Sequence, residues 1–304
     1  MDNIPRVLII GSGPSGLVLA LALAKNGIQT RIIEKRQEPA PGQRGAGIMV
    51  DASPIVVLGE AVPVPRIRRY RLSDVTEVVQ EIEMSPSTKP SSTTPFPNLL
   101  MLGQDRLEKI LISALREHGG NVEYGIEMKT LTGSKECVNV KLIHHGPNNS
   151  IEEESQYDWV IGADGEKSEV RKRAGLTFDG ESRADSLLVG DTSVEGLGPE
   201  LLRIVFSSAL MATLPSSLFY YWRKPGEFVR GRQPPARKLS ENALRKDCAT
   251  GREFLFSIYH GCPCTGARPN IRMANSFRSG RVFLVGDAGH AHPPAGAQGM
   301  NTSV

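Results

Sequence analysis

No stretch of this sequence is apolar for long enough to cross a bilayer. The longest run, Leu17 to Ala24, falls well short of the roughly 20 residues that a spanning helix needs. The N-terminus, Met1-Asp2-Asn3-Ile4-Pro5, shows no basic region, apolar signal core or small-residue cleavage site before an apolar strand begins, so no secretory signal is expected. Cysteine is scarce as well. The four residues (Cys137, Cys248, Cys262, Cys264) are irregularly placed, and Cys262-Pro263-Cys264 is too tight for zinc spacing and has no second pair. Free thiols in a reducing compartment are expected, and no structural metal. An excess of one charge is missing too: 36 Lys and Arg against 33 Asp and Glu leave +3, with the basic residues scattered. No nucleic-acid or membrane-surface stripe is present. What these absences leave is a soluble, cytoplasmic protein whose 304 residues suffice for one large or two smaller domains around a buried core.

Arg6–Ile10 is an apolar run ending at a glycine and predicts a buried parallel strand. Pro14–Asn26 predicts a helix with Leu17, Ala20, Leu21 and Ala24 at helical spacing and Gly27 as its stop. Thr30–Glu34 completes a βαβ opening whose crossover permits parallel pairing. Residues 37–65, rich in Pro and Gly, predict an extended loop region, and 85–97 (SPSTKPSSTTPFP) a flexible surface connection. Asp105–His118 predicts an amphipathic helix with Leu107, Ile110, Leu111 and Leu115 on one side. Strand-like runs follow at 121–124, 136–143 and 158–162, with turn residues (HHGPNNS) between the last two. From 185 to 260 the apolar runs are short, aromatic and alternating, which predicts a mostly antiparallel second domain. Arg281–Gly286 returns to a buried strand entering a Gly-rich turn.

Three motifs carry chemistry. In Gly11-Ser12-Gly13-Pro14-Ser15-Gly16, between strand and helix, the first glycine permits a tight turn and the second lets a pyrophosphate approach the backbone. The third lets helix and strand pack closely, and the phosphate then meets the positive helix end. Glu34, followed by Lys35, lies 18 residues after Gly16 (34 − 16) at the end of the second strand. A carboxylate there accepts both ribose hydroxyls and repels a 2′-phosphate, which favours FAD or NAD over NADP; the plainer reading is a bare structural turn. The second motif, Asp158 to Arg171, delivers an Asp164-Gly165 turn to a short helix with Ser168 near its start, and by itself reads equally as a capped strand-to-helix turn. The third, Gly280 to Asn301, ends a strand in Gly286-Asp287 and continues into a Pro/Gly loop. In sequence, His290 and His292 are not joined by carboxylate or cysteine residues in a metal-ligand pattern, and they are not read as a metal site.

Together, in this order, the three motifs resemble the FAD monooxygenases that share the para-hydroxybenzoate hydroxylase fold. GQRGAGIM (42–49), VPRIRRY (64–70), GQDRLEKIL (103–111), DWVIGADG (158–165) and RPNIRM (268–273) are most similar to the fungal phenol-hydroxylase-like branch. The resemblance covers about 5–50, 98–180 and 268–304 and is faint across 185–260. It implies an α/β fold: a Rossmann-like FAD-binding domain with a parallel sheet (1–74, 98–184 and 276–304) plus a mostly antiparallel substrate-domain sheet (75–97 and 185–275).

Carried over residue by residue, the resemblance gives Gly11, Gly13 and Gly16 to the FAD pyrophosphate and Glu34 to the adenosine ribose, with Pro14, Ser15 and Lys35 also counted as cofactor-binding. It brings Gln43 and Arg44 to the pyrophosphate, Gln104 to the ribitol or phosphates, and Asp164 to both FAD and the passing nicotinamide cofactor. Gly286 and Asp287 would meet the ribitol, while Pro294, Gly296, Gly299, Met300 and Asn301 would wrap the pyrimidine edge of the flavin. The implied reaction uses NAD(P)H to reduce FAD and O2 to hydroxylate a phenolic or other aromatic small molecule. Only one dinucleotide fingerprint is present, so NAD(P)H is expected as a transient co-substrate. No protein general base is identifiable. Tyr221 and Arg223, in YYWR, are candidates for the substrate site, against the plainer reading of a packed Tyr and a solvated Arg.

The sequence departs from the family in three places. VDASPIVVLGEAVPVP stands where relatives continue into a Leu-rich helix, and YHGCPCTGA looks inserted before RPNIRM. The resemblance also places a long helix after Asn301, aimed at the flavin, whereas the sequence given stops at Val304. The expectation is that a chain ending there has weak hydroxylase activity or none. Two other readings stay open: a flavin-dependent reductase of the same fold, and a non-catalytic binding protein that keeps the scaffold.

Overall fold

In the computed structural model the described residues are 6–39, 48–51, 61–63, 67–71, 74–83, 88–93, 97–146, 149–182, 187–189, 193–194, 205–206, 218–219, 258–259, 265–267 and 270–292. The organising element is a six-stranded sheet in the order Arg278–Ser279, Val282–Leu284, Trp159–Gly162, Val7–Ile10 (β1), Thr30–Glu34 (β2) and Val122–Tyr124. All its pairings are parallel except the edge pair of Arg278–Ser279 with Val282–Leu284. From β1 the chain crosses through helix α1 (Pro14–Lys25) to β2 on one side, and it later returns to the other side of β1 as Trp159–Gly162. That reversal opens a crevice beyond the carboxyl ends of the strands, the place where open α/β sheets take ligands.

The apolar β1 sequence VLII is buried at every position because both faces of the sheet are covered. Leu8, Ile10, Ile33, Val160, Val282 and Leu284 join one core cluster, Val7, Ile9, Ile32 and Ile161 another. The second lies against α1 and helix α2 (Gln104–Glu117), through Leu17, Ala20 and Leu21 of the one and Leu107, Leu111 and Leu115 of the other. Full burial of one such side chain stabilises by about 1.5–3 kcal/mol relative to exposure. The first cluster is closed by an antiparallel meander of Ile126–Gly133, Val138–His145 and Ser150–Tyr157, whose middle strand turns Val138, Val140 and Leu142 inward.

Several expectations hold closely. The first strand, helix and second strand span Val7–Ile10, Pro14–Lys25 and Thr30–Glu34, and α2 begins one residue before the predicted Asp105. Two expectations are corrected. Within the predicted loop of 37–65, Ile48–Asp51 and Val62–Pro63 both pair antiparallel with Leu99–Leu102, so a partner distant in sequence supplies the ladder that local composition argues against. The meander's outer strands, Ile126–Gly133 and Ser150–Tyr157, were not anticipated. The latter reads SIEEESQY, a charged sequence that becomes a strand through pairing with Val138–His145. Residues assigned to the smaller sheet pair both ways: Leu187–Val189 is antiparallel to Thr265–Ala267 and parallel to Leu218–Phe219. Among the described residues no helix is long and apolar enough to cross a membrane.

Candidate functional site

The crevice is built from backbone outward. Gly11 has φ +108°, and a Cβ there would lie 2.3 Å from the Ala163 carbonyl oxygen, so only glycine lets the end of β1 approach the Asp158–Arg171 motif. A Cβ on Gly16 would lie 2.2 Å from the Gly11 carbonyl oxygen, which fixes the close seat of α1 on the turn. Gly13 differs: a Cβ there would meet nothing within 4 Å, because the residue faces open space. It forms the N-cap of α1 without a side-chain hydrogen bond, and Pro14 occupies the first turn. The first helical bond runs from Leu17 N to the Gly13 carbonyl, so the helix itself leaves the Ser15 and Gly16 N–H groups unclaimed.

Glu34 ends β2 beside this helix start. Its carboxylate is buried and accepts from the Ser12 N–H at 3.1 Å, the Ser12 hydroxyl at 3.2 Å, and the Arg36 N–H and Nε at 3.1 and 2.9 Å. Burial alone would push its pKa up; the hydrogen bonds from Arg36 and Ser12 outweigh it and hold the group below the ordinary carboxylate value. Lys35, the next residue, points to solvent. Gln104 begins α2, and its amide donates to Glu108 at 2.9 Å.

On the other side of the crevice, Asp164 follows the Trp159–Gly162 strand. Its Oδ2 accepts from the N–H groups of Glu169 and Val170 at 2.7 and 3.1 Å, capping helix α3 (Glu169–Arg173) together with Ser168, whose Oγ accepts from Arg171 N. Its Oδ1 is buried and has no hydrogen-bond partner among the described residues. Burial of this kind without a partner is costly unless a ligand supplies the donor.

Asp287 sits in a 3-10 turn, Gly286–Ala288, after the Val282–Leu284 strand. The residue reaches solvent, yet the atoms packed about its carboxyl desolvate it enough to push its pKa up; His290 and His292 pull it back and Glu166 adds to the rise. The imidazoles of His290 and His292 are stacked, 5.8 Å between centroids. Arg171 links the two motifs. Only 4% exposed, it donates to the carbonyls of Ala288 and Glu166 at 2.7 and 2.8 Å, with its guanidinium 3.7 Å over the Phe178 ring. Burial lowers its pKa, against the opposing pull of Asp164 and Glu166. Asn270 donates to the Glu166 carboxylate and ties the next strand to the same turn.

The structure thus brings Gly11, Gly13, Pro14, Ser15, Gly16, Glu34, Asp164, Gly286 and Asp287 to the carboxyl ends of four adjacent strands, with Gln104 on the helix packed against α1. Gln43, Arg44, Tyr221, Arg223, Pro294, Gly296, Gly299, Met300 and Asn301 lie outside the described residues. Sequence reasoning missed Ser12, Arg36 and Arg171 as parts of the site. Arg36 carried one signal, its position two residues after Glu34, and Arg171 another, its place at the end of the Asp158–Arg171 motif.

In sequence and fold the chain is similar to several known proteins. The model of a family described as FAD binding domain matches residues 5–304. A flavin-dependent monooxygenase of Mycobacteroides abscessus is 31% identical, over 98% of this chain and 64% of its own length. A 6-methylpretetramide 4-monooxygenase of Streptomyces rimosus is 29% identical, over 99% of this chain and 54% of its own. The chain therefore spans about half to two thirds of these relatives. Among solved structures, the flavin-dependent monooxygenase PieE in complex with FAD and substrate superposes with a TM-score of 0.73 at 20% identity, over 99% of this chain and 56% of that one. At that identity the likeness is one of fold.

Proposed function

We infer the function from one premise: this chain belongs to the FAD binding domain family. On that premise we read it as an FAD-dependent monooxygenase chain that hydroxylates a phenolic or other aromatic small molecule, with O2 as oxidant and NAD(P)H as a transient reductant. The observation that carries the reading is the crevice beside β1, where an uncapped helix start, an ionised buried Glu34, and Asp164 and Asp287 converge.

The residues present fit FAD. The open space at Gly13 and the unclaimed N–H groups of Ser15 and Gly16 suit the pyrophosphate, with Gly11, Pro14 and Gly16 shaping the turn. Glu34, with Lys35 beside it, suits the adenosine ribose, and Gln104 the ribitol or phosphates. The buried Asp164 Oδ1 that lacks a partner awaits a donor, which suits a hydroxyl or N–H of the cofactor or of passing nicotinamide. Gly286 and Asp287 suit the ribitol. Gln43 and Arg44 near the pyrophosphate, and Pro294, Gly296, Gly299, Met300 and Asn301 around the pyrimidine edge, complete the assignment. Bound here, the flavin supplies the redox and oxygen chemistry; the chain binds and orients it and keeps the Glu34 carboxylate ionised. The FAD-binding domain comprises 1–74, 98–184 and 276–304, and the substrate domain 75–97 and 185–275, with Tyr221 and Arg223 lining the substrate site.

The test is the visible absorption spectrum of the purified chain, followed by oxidation of NADH and NADPH with and without phenolic substrates. Stoichiometric flavin and substrate-stimulated oxidation coupled to a hydroxylated product support the reading. A folded chain that neither carries nor takes up flavin refutes it.

A further inference from the structure

The Glu34 carboxylate is already crowded. On Oε2 it faces the Ser12 N–H at 3.1 Å, the Ser12 hydroxyl at 3.2 Å and Arg36 Nη2 at 3.3 Å. On Oε1 it faces the Arg36 N–H at 3.1 Å and Arg36 Nε at 2.9 Å. These are five donors, whereas a carboxylate offers about four lone-pair positions over its two oxygens. If Glu34 receives an adenosine ribose, as the proposed function has it, two more O–H donors must be accepted on the same oxygens. Donors already in place have to leave.

The five are not equally free to go. Both N–H groups belong to the main chain at the ends of β1 and β2, and Ser12 is 2% exposed, its hydroxyl enclosed with it. The Arg36 guanidinium is different. Its side chain is 25% exposed, against 9% for that of Glu34, so it has a path into solvent and moves by side-chain rotation alone. Arginine also grips a carboxylate through two arms of a planar fork, a contact that blocks two acceptor positions at once and is released as a unit.

We propose that Arg36 is a latch on the ribose subsite: in the ligand-free chain its guanidinium holds the Glu34 carboxylate, and an entering adenosine diphosphate group takes that carboxylate over. The latch keeps a buried carboxylate ionised and aligned until the ligand arrives. It also makes departure of the guanidinium a step that entry must wait for, so Arg36 slows association. The open face of Gly13, by contrast, requires no displacement. The inference rests on the reading of Glu34 as the ribose acceptor, and the experiment separates the two.

Association of FAD with the ligand-free chain is followed by quenching of flavin fluorescence in stopped flow, and ADP binding is measured by calorimetry. Wild type, Arg36→Met, Arg36→Lys and Glu34→Gln are compared. Arg36→Met is expected to associate about tenfold faster, the scale of one charge-assisted contact no longer broken on entry. Arg36→Lys, with a point charge in place of the fork, is expected to fall between. Unchanged or slower association in folded Arg36→Met overturns the latch; if that variant does not fold, an unchanged rate in Arg36→Lys overturns it. Glu34→Gln tests the underlying reading: it is expected to bind ADP about tenfold more weakly. ADP binding as tight as wild type in Glu34→Gln removes the ribose reading, and the latch with it, whatever Arg36 does.

Discussion

Arg171 Nη1 lies 2.7 Å from the carbonyl oxygen of Ala288, a contact that spans 117 residues of sequence and joins the second chemical motif to the third. Its other arm reaches the Glu166 carbonyl at 2.8 Å. Asp164 and Asp287 stand at the ends of neighbouring strands, and Arg171 fixes the turns that carry them while hydrogen-bonding to neither carboxylate. The cationic head sits on Phe178 and is almost wholly enclosed, so its position is determined from every side.

Replacing Arg171 with Met keeps much of the volume and removes both bonds. Each carbonyl left unpaired in the interior costs about 1–3 kcal/mol. At about 2–4 °C per kcal/mol for a domain of this size, the Tm is expected to fall by several degrees. Flavin affinity is expected to fall as well, since the two acidic turns lose their common anchor. Thermal denaturation with a flavin titration checks both; an unchanged Tm would remove the structural role assigned to Arg171.

The second and third glycines of the first motif predict opposite phenotypes. In Gly16→Ala the new Cβ would lie 2.2 Å from the Gly11 carbonyl oxygen, a backbone atom that cannot yield without moving the helix. A loss of stability is expected, of the order of 1–3 kcal/mol seen for overpacking. In Gly13→Ala nothing lies within 4 Å, so the Tm is expected to hold while the methyl group occupies the space assigned to the pyrophosphate. Paired measurement of Tm and ADP affinity distinguishes them. Equal loss of Tm in both variants would contradict this geometry.

A charged cluster on the far side of β2 gives a pH prediction. Glu153 faces Arg31 at 2.5 Å, His144 at 2.6 Å and the Ser155 hydroxyl at 2.5 Å, while Glu123 and Tyr157 hold the same guanidinium. The Arg31 contact is the largest influence; despite partial burial, it and the other bonds bring Glu153 down to about 2 from an ordinary 4.5. A carboxylate depressed in the folded state contributes stability that is complete above the ordinary value and lost as pH falls through the folded one. With the side chain 28% exposed, solvent screening reduces the contribution to the order of 2 kcal/mol. Urea midpoints between pH 5 and about 2 should therefore fall less steeply in Glu153→Gln than in wild type.

How far this site was legible in sequence follows from the range of the forces involved. Gly11, Gly16 and Glu34 were readable because a tight turn, a close helix seat and a strand end are set within one βαβ unit. Asp164 with Ser168 was readable as a helix cap for the same reason. Arg36 was not, because its partner is chosen by side-chain rotation, and Arg171 was not, because Ala288 is brought to it only by pairing of the Trp159–Gly162 and Val282–Leu284 strands. The same limit explains Ser150–Tyr157: four of its residues are Glu or Ser at positions 152–155, and only the register with Val138–His145 makes it a strand.

Asp287 carries the last prediction, and its sign is opposite to that of Glu153. Desolvation raises its carboxyl, His290 and His292 lower it in part, and Glu166 raises it further. A carboxylate raised in the folded state holds its proton to a higher pH than the unfolded chain does, so above the folded value the ionised group counts against folding. Asp287→Asn removes that charge with little change in shape. The variant is expected to be more stable than wild type at neutral pH, and the gain should shrink as pH falls through the raised folded value and vanish below the ordinary 3.8, where both forms of the chain are neutral at this position. Flavin affinity is expected to move the other way, because under the proposed function a ribitol hydroxyl then loses its charged acceptor. A Tm series across pH, beside a flavin titration at neutral pH, separates the two effects. A variant less stable at neutral pH would show that Asp287 is held by contacts that favour its ionised form, and that desolvation does not dominate at this carboxyl.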